Sequence, residues 1–232
     1  MNPLRLFCAV LVTICCAGPL RAQVGTLPAK SPYRDMEFRQ EWTTFGGQFN
    51  AKDDAAGVAP QGGAIFGERY AIRLGGPAYF YARLAGSMQE RTIINPLLDE
   101  PARSSRSEKL PILYSDLGLE MQLTGPKTWH SFAPVIAGGI GLTAGLKGKR
   151  DIGGFRFGQP LTLTFGAALK YIPRHGPNMR FEWSNYVYKL HYPDSYFLKS
   201  GEPPVVLGPN VKKDPWRRNN VWTFGLTVMN FR

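Results

Sequence analysis

The chain has only three cysteines, and all of them lie near its start, at Cys8, Cys15 and Cys16. The rest of the sequence therefore excludes a disulfide framework, a thiolate metal site and a cysteine nucleophile. The three histidines are scattered, and their spacing matches no metal site. The sequence also lacks a phosphate-binding loop, a dinucleotide fingerprint and a repeat of fixed period. We therefore predict no metal and no cofactor.

Long hydrophobic runs are equally scarce. The first residues combine an early basic side chain, Arg5, with an apolar run from Leu6 to Ala17 and a small-residue ending at 20–22. This pattern is typical of a secretory signal peptide, so we expect residues 1–22 to be removed. The alternative is an uncleaved anchor, although the run is short for a membrane span. No later stretch has 18 consecutive apolar residues, so no transmembrane helix is predicted.

Acidic residues are fewer than basic ones, 17 against 28, and the formal net charge is +11 at pH 7. A basic excess often indicates nucleic acid, but an exported protein does not meet it, so we predict no nucleic-acid partner. Anionic lipid headgroups are a better match for an exported basic protein.

Apolar and polar residues alternate along much of the chain. From Leu161 to Tyr171, every second residue is apolar, and the residues between are polar, small or charged. A period of two is typical of a β-strand with two different faces. The apolar face contacts either a protein core or lipid, and alternation alone fits both. Eight such strands are predicted, roughly over 36–50, 63–75, 78–91, 110–124, 131–147, 161–173, 178–192 and around 222–228.

The connections between these strands alternate in length, and short turns at one end with long loops at the other are the plan of an up-and-down membrane barrel. Aromatic residues also gather beside the short turns, as in an interfacial girdle. We therefore predict an all-β fold, with residues 23–232 forming one eight-stranded antiparallel transmembrane barrel. The short turns are 75–77, 125–130 and 173–177, and the long loops are 50–62, 92–109, 148–158 and 193–219. The girdle residues are Tyr79, Phe80, Trp129, Phe132 and Tyr171.

This order of features resembles the small eight-stranded outer-membrane barrels, the membrane domain of OmpA and its relatives. The resemblance covers nearly all of the chain after residue 22 and includes the aromatic ending VWTFGLTVMNFR. It implies insertion into the outer membrane of a Gram-negative bacterium by the barrel insertion machinery. One departure is that Arg232 follows Phe231, which is out of phase with the apolar face of the last strand.

An eight-stranded barrel encloses an interior that side chains just fill. Charges in so confined a space are costly unless they pair. We therefore expect an ion-pair network that plugs the barrel, and the alternative is a narrow ion pore. The predicted members are Arg69, Arg73, Arg83, Asp116, Glu120, Lys170, Arg180 and Glu182.

A lipid A-modifying hydrolase is the enzymatic alternative. Lipid A deacylases carry a His-x-Ser-Asn motif on a late strand, and residues 182–185 read Glu-Trp-Ser-Asn. With glutamate in place of the histidine, nothing obvious activates Ser184. His191, Asp194 and Ser195 form a second conceivable triad in a loop. Serine, histidine and aspartate side chains in such positions more often have no catalytic role, so we predict no catalytic residue.

The long loops carry many basic residues. These loops are either simply solvated, or they contact phosphates of lipopolysaccharide or an acidic surface partner of unknown identity. The predicted function is a structural or surface-interaction role in the outer membrane, and a soluble exported ligand-binding barrel is a further alternative. The predicted basic rim consists of Lys149, Arg150, Lys212, Lys213, Arg217 and Arg218.

Overall fold

The computed structural model describes residues 31–98, 102–146, 150, 152–197, 206–208 and 210–230. The expectations for the signal peptide, Lys149 and Phe231 lie outside these residues. Within them, no helix is long and apolar enough to cross a bilayer. The strands are β1 (Tyr33–Asp35), β2 (Gln40–Asn50), β3 (Gly63–Gly75), β4 (Ala78–Ile94), β5 (Ser104–Gln122), β6 (Lys127–Trp129), β7 (Phe132–Gly145), β8 (Leu161–Tyr171), β9 (Asn178–Lys189) and β10 (Trp216–Asn230).

Eight of these strands close into an antiparallel barrel. Each long strand pairs with its predecessor along the chain, and β10 returns to pair with β2. The predicted fold class is therefore confirmed, and β3 has the predicted bounds. Strands β5 and β10 begin six residues before the predicted segments, because alternation continues into stretches that are polar on both faces.

The register fixes how far the strands tilt. Starting from Val228 on β10, the paired residues lead once around the barrel and back to β10 at Arg218, ten residues away. With eight strands, such a shift corresponds to a tilt of roughly 40°. The row passes through Trp42, Tyr70, Ala82, Leu117, Ile140, Leu163 and Val187.

The two faces of the wall are the reverse of those in a soluble protein. On β8, Leu161 and Phe165 point outward and are 57% and 43% exposed, whereas Thr164 and Lys170 point inward and are buried. The same contrast runs around the barrel, so its outer surface is a broad apolar band. A band of this kind faces lipid in membrane barrels. This arrangement contradicts a soluble ligand-binding barrel, which would keep its apolar face inside.

Two short strands close the end that carries the short turns. Strand β1 pairs with β6, which lies inside the predicted tight turn 125–130. The Met36 amide donates to the Pro126 carbonyl at 2.9 Å, and the Gln122 side chain donates to the Lys127 carbonyl at 2.9 Å. Tyr79 also differs from prediction: it points into the barrel and is buried, so it is not part of the girdle.

Candidate functional site

The barrel interior is organised around Glu120 on β5, whose side chain is fully buried. Lys170 Nζ lies 2.5 Å from Glu120 Oε1, Arg180 Nη2 lies 2.9 Å from Oε2, and Arg69 also pairs with Oε2. These cations come from three other strands, β8, β9 and β3. Lys170 additionally donates to both carboxylate oxygens of Glu41 on β2, at 2.9 and 2.7 Å. Five strands are therefore joined through one cluster of charges.

A second cluster lies beside the first and is centred on Arg83. Its guanidinium donates to both oxygens of Asp116, at 2.8 and 2.9 Å, and to Glu182 at 2.6 Å. Arg180 Nε donates to the other Glu182 oxygen at 2.7 Å and so connects the two clusters. The Tyr81 hydroxyl adds a hydrogen bond of 3.1 Å to Asp116. Asp116 and Glu182 each accept two charge-assisted hydrogen bonds, which offset part of the cost of burying their charges.

The connected network contains four cations and four carboxylates, so its formal charges cancel. The predicted set had five cations and three carboxylates, and two residues account for the difference. Arg73 stays outside the network, near the short turns, where it donates to the carbonyls of Gly76 and Met36, both at 3.0 Å. Glu41 belongs to the network and was missed, although it alternates with Trp42 on the inward side of β2. The members are Arg69, Arg83, Lys170, Arg180, Glu41, Asp116, Glu120 and Glu182.

Tyrosine rings fill the remaining space beside these charges. The Arg69 guanidinium carbon lies 4.1 Å from the centroid of the Tyr81 ring, and Lys170 Nζ lies 4.5 Å from that of Tyr79. Such cation–π contacts favour cations that have left water. A cavity of about 10 Å³ remains between Arg69, Arg83 and the wall, which is room for about one water molecule. The interior is therefore packed rather than open at this level.

Closer to the long loops, the interior becomes apolar. The rings of Phe49, Tyr114 and Tyr186 pack together, with centroids 5.1 to 5.9 Å apart. They belong to a buried cluster that includes Ile65 and Leu110. This layer occupies the lumen above the charges with aromatic and aliphatic side chains.

The long loops fold over this end and form a third buried layer. Asp54 in the first loop accepts hydrogen bonds from the amides of Val58 and Ala59, at 3.2 and 3.1 Å, and from the Tyr192 hydroxyl at 3.0 Å. Burial and the neighbouring Asp54 carboxylate raise the pKa of Tyr192. Phe155 from the third loop packs against the Tyr192 ring.

Arg217 stabilises this loop layer from within. It was predicted to lie on the basic rim, but it is 4% exposed and points into the barrel from β10. Its guanidinium donates to the carbonyls of Lys52 and Pro60, both at 2.7 Å. The prediction was wrong because it placed residues 193–219 in a loop, whereas β10 begins at Trp216.

The other rim residues lie at the long-loop end. Arg150, Lys212 and Lys213 are exposed. Arg218 is also exposed, but it lies on the outer wall of β10, where it donates to Asn185 at 2.6 Å and covers the Phe165 ring.

A surface cleft of about 570 Å³ lies between the third and fourth long loops. Its lining includes the basic residues Arg150 and Arg156, together with His191 and Asp194. The Lys213 amine donates to Asp194 at 2.6 Å and lowers the pKa of that carboxyl group. Since this carboxylate is paired, the cleft presents mainly positive charge to solvent.

The two conceivable catalytic groups are not assembled. Ser184 is buried inside the barrel, whereas His130, His175 and His191 are all exposed, so Ser184 has no imidazole beside it. In the loop, His191 Nδ1 lies 2.5 Å from Asp214, and the Ser195 hydroxyl donates to the Gly153 carbonyl at 2.5 Å. Among the described residues, no cluster of three or more His, Cys, Asp and Glu side chains is placed to hold a metal ion.

The closed eight-stranded wall, its apolar outer band and its charged, filled interior define a small membrane barrel of the outer-membrane type. No protein-family model matches the chain, and no curated protein matches it. Among solved structures, the chain is similar to Ail, the attachment invasion locus protein of Yersinia pestis. In its complex with the heparin analogue sucrose octasulfate, Ail is 9% identical over 83% of this chain and 100% of its own, with a TM-score of 0.36. A second Ail structure is 10% identical, with the same coverage and TM-score.

Glu120→Ala tests how much the network contributes. The substitution leaves three buried cations short of a counter-charge, so the free energy of unfolding should fall by about 3–5 kcal/mol. Urea unfolding of the refolded barrel in lipid vesicles measures this, with the folded fraction read as the band that shifts on boiling in a detergent gel. Glu90→Ala, at an exposed position on β4, is the control and should change stability little. Equal stability of the two variants would contradict a central role for Glu120.

Proposed function

We propose that this chain is an exported outer-membrane barrel that acts as a sealed anchor and presents a basic outer surface to anionic groups. In this proposal residues 1–22 are a cleaved signal peptide, and the insertion machinery assembles the barrel in a Gram-negative outer membrane. The observation that carries the proposal is the combination of three layers of buried side chains in the lumen with an exposed basic outer end.

The filled lumen supports an anchoring role rather than transport. An ion crossing the barrel would have to pass the loop layer, the aromatic layer and the charge network in turn. Displacing any member of the network would leave a buried charge without its partner, which costs several kcal/mol. The interior therefore stiffens the barrel instead of forming a pore.

Conductance across planar bilayers tests the seal. The wild-type barrel should show no steady open conductance level, because three layers of buried side chains occupy the lumen. An Arg83→Ala, Arg180→Ala double variant opens space around the roughly 10 Å³ cavity and provides the comparison. A large, stable conductance of the wild-type protein would favour the ion pore.

The cleft supports binding of a compact polyanion. Arg150 and Arg156 provide two guanidinium groups, which recognise phosphate or sulfate through paired hydrogen bonds. Its volume of about 570 Å³ is in the range of small-molecule sites. A phosphorylated or sulfated sugar at the cell surface has the matching chemistry.

Charge reversal tests the cleft. In the Arg150→Glu, Arg156→Glu variant, affinity for inositol hexakisphosphate as the probe should fall at least tenfold, because two attractive contacts become repulsive. Lys109→Glu paired with Lys212→Glu makes the same charge change at exposed positions that are not part of the cleft lining, and should retain most of the affinity. Calorimetry at two salt concentrations measures both. An equal loss in the two variants would show that only the net charge matters.

The outer wall near the loops supports contact with lipopolysaccharide. On the paired strands β9 and β10, the outward pairs toward the loops are first Trp183 with Trp222 and then Asn185 with Asn220. Val187 with Arg218 and Lys189 with Trp216 follow. This order matches the passage from hydrocarbon through the aromatic interface to charged headgroups. Lys189 Nζ also lies 5.0 Å from the Trp216 ring centroid, within reach of the same headgroup layer.

Lipopolysaccharide retention tests this wall. Lys189→Gln combined with Arg218→Gln should lower the phosphate-containing lipid that copurifies with the barrel at least threefold, measured by mass spectrometry. The cleft variant Arg150→Glu, Arg156→Glu should retain it, since its cations lie in loops. Unchanged retention in the wall variant would contradict a headgroup site there.

A further inference from the structure

His191 lies in the wall of the cleft between the third and fourth long loops, just beyond the end of β9. Two backbone hydrogen bonds of 3.0 Å join residues 190–192 to residues 213–215 and set His191 opposite Asp214. The residues on either side of His191 are buried, whereas the His191 side chain is 68% exposed. Because side chains alternate along an extended segment, this short ladder directs the imidazole ring outward, to the cleft.

The contact between His191 and Asp214 determines which ring nitrogen faces the cleft. His191 Nδ1 lies 2.5 Å from a carboxylate oxygen of Asp214. An ionised carboxylate only accepts hydrogen bonds, so Nδ1 carries a proton in both charge states of the ring. Asp214 is not part of the cleft lining, so the opposite edge of the ring, which carries Nε2, is turned to the cleft. Nε2 is therefore the atom that gains a proton as the pH falls.

The other charged groups near His191 keep a constant charge in mild acid. Asp194 lines the same cleft, and the Lys213 amine donates to it at 2.6 Å and lowers the pKa of its carboxyl group, so it stays ionised. On the adjoining end of β9, Lys189 Nζ lies 5.0 Å from the Trp216 ring centroid. Lysine and arginine side chains remain protonated at such pH values.

Protonation of His191 therefore changes the charge that the cleft presents. Histidine is the side chain that commonly changes charge between pH 5 and 8. With a neutral ring, the permanently charged Arg150 and Arg156 act beside the negative charge of Asp214. With a protonated ring, the His191–Asp214 pair is neutral, and Nε2 offers a third charge-assisted donor to an anion. Because all three cationic groups line one cleft, a single polyanion reaches them together.

We propose that the protonated imidazole of His191 is a third contact for the polyanion, together with Arg150 and Arg156, and that binding strengthens as the pH falls from 7.5 to 5.5. This inference rests on the anion site proposed above and adds a pH-dependent member to it. The coupling is reciprocal, so a bound polyanion favours the protonated ring. The cleft then holds sulfated or phosphorylated ligands most tightly in mildly acidic surroundings.

Affinity for myo-inositol hexasulfate at two pH values tests this role. Sulfate esters keep their charge over this range, so only the protein titrates. The wild-type barrel should bind at least threefold more tightly at pH 5.5 than at pH 7.5, because one added positive charge faces the anion. His191→Gln should lose this dependence. His175→Gln, at an exposed position in the short-turn connection 173–177, is the matched control and should keep it.

A permanent cation and a proton count give two further readouts. His191→Lys should bind at pH 7.5 at least threefold more tightly than the wild type does at that pH. Calorimetry at pH 6.5 in two buffers of different ionisation enthalpy counts the protons that are taken up on binding. The wild type and His175→Gln should take up a fraction of a proton, whereas His191→Gln should take up none. The band shift on boiling confirms that each variant is folded.

The outcomes separate this inference from the anion site on which it rests. Equal affinity of the wild type at both pH values, or an unchanged pH dependence in His191→Gln, would overturn the role of His191 and leave the anion site standing. Absence of binding at both pH values would contradict the anion site itself, and this inference with it.

Discussion

The contact of Glu120 with three cations is the interaction on which the barrel interior depends. Without this carboxylate, Arg69, Lys170 and Arg180 would share a narrow space with too few counter-charges, and mutual repulsion would favour an expanded, wet lumen. With it, and with Glu41, the formal charges cancel, and tyrosine rings can pack closely against the cations. The apolar layer above needs such a compact, neutral base, because rings such as Phe49 and Tyr114 pack well only where water is excluded.

The outer face of the wall is mainly apolar and the inner face is mainly polar. A residue that breaks this pattern is a candidate for a specific role. Inside, charges are tolerated because every member of the network finds a partner. Outside, apolar residues dominate, and the polar Glu68 and the basic Arg218 stand out at two different depths. Arg218 lies toward the long-loop end of the wall, whereas the Glu68 carboxylate accepts hydrogen bonds from Trp42 and Thr44 on the neighbouring strand.

The sequence was sufficient for most of the wall, because a period of two is a local property. Strand β3 was predicted with its bounds, and seven members of the charge network were identified from alternation alone. Glu41 was missed because β2 mixes glycine and polar residues on both faces, which weakens its pattern. Arg217 was misplaced because residues 193–219 were predicted as a loop, and its hydrogen bonds to residues more than 150 positions away leave no local pattern that would correct this. The pairing of β1 with β6 was not predicted, because it also joins residues that are far apart in the sequence.

The arrangement of the network also orders the assembly of the barrel. Glu120 is on the fourth barrel strand, whereas Lys170 and Arg180 are on the sixth and seventh, and Glu41 is on the first. A chain that has formed only its first half therefore still carries an unbalanced lumen and is best kept hydrated. The formal charges of the network balance once Lys170 on the sixth strand is present, but the ion pair of Lys170 with Glu41 on the first strand forms only as the wall closes. Loss of water from the lumen and closure of the wall are therefore one cooperative step. A partly closed barrel gains little free energy from entering the bilayer.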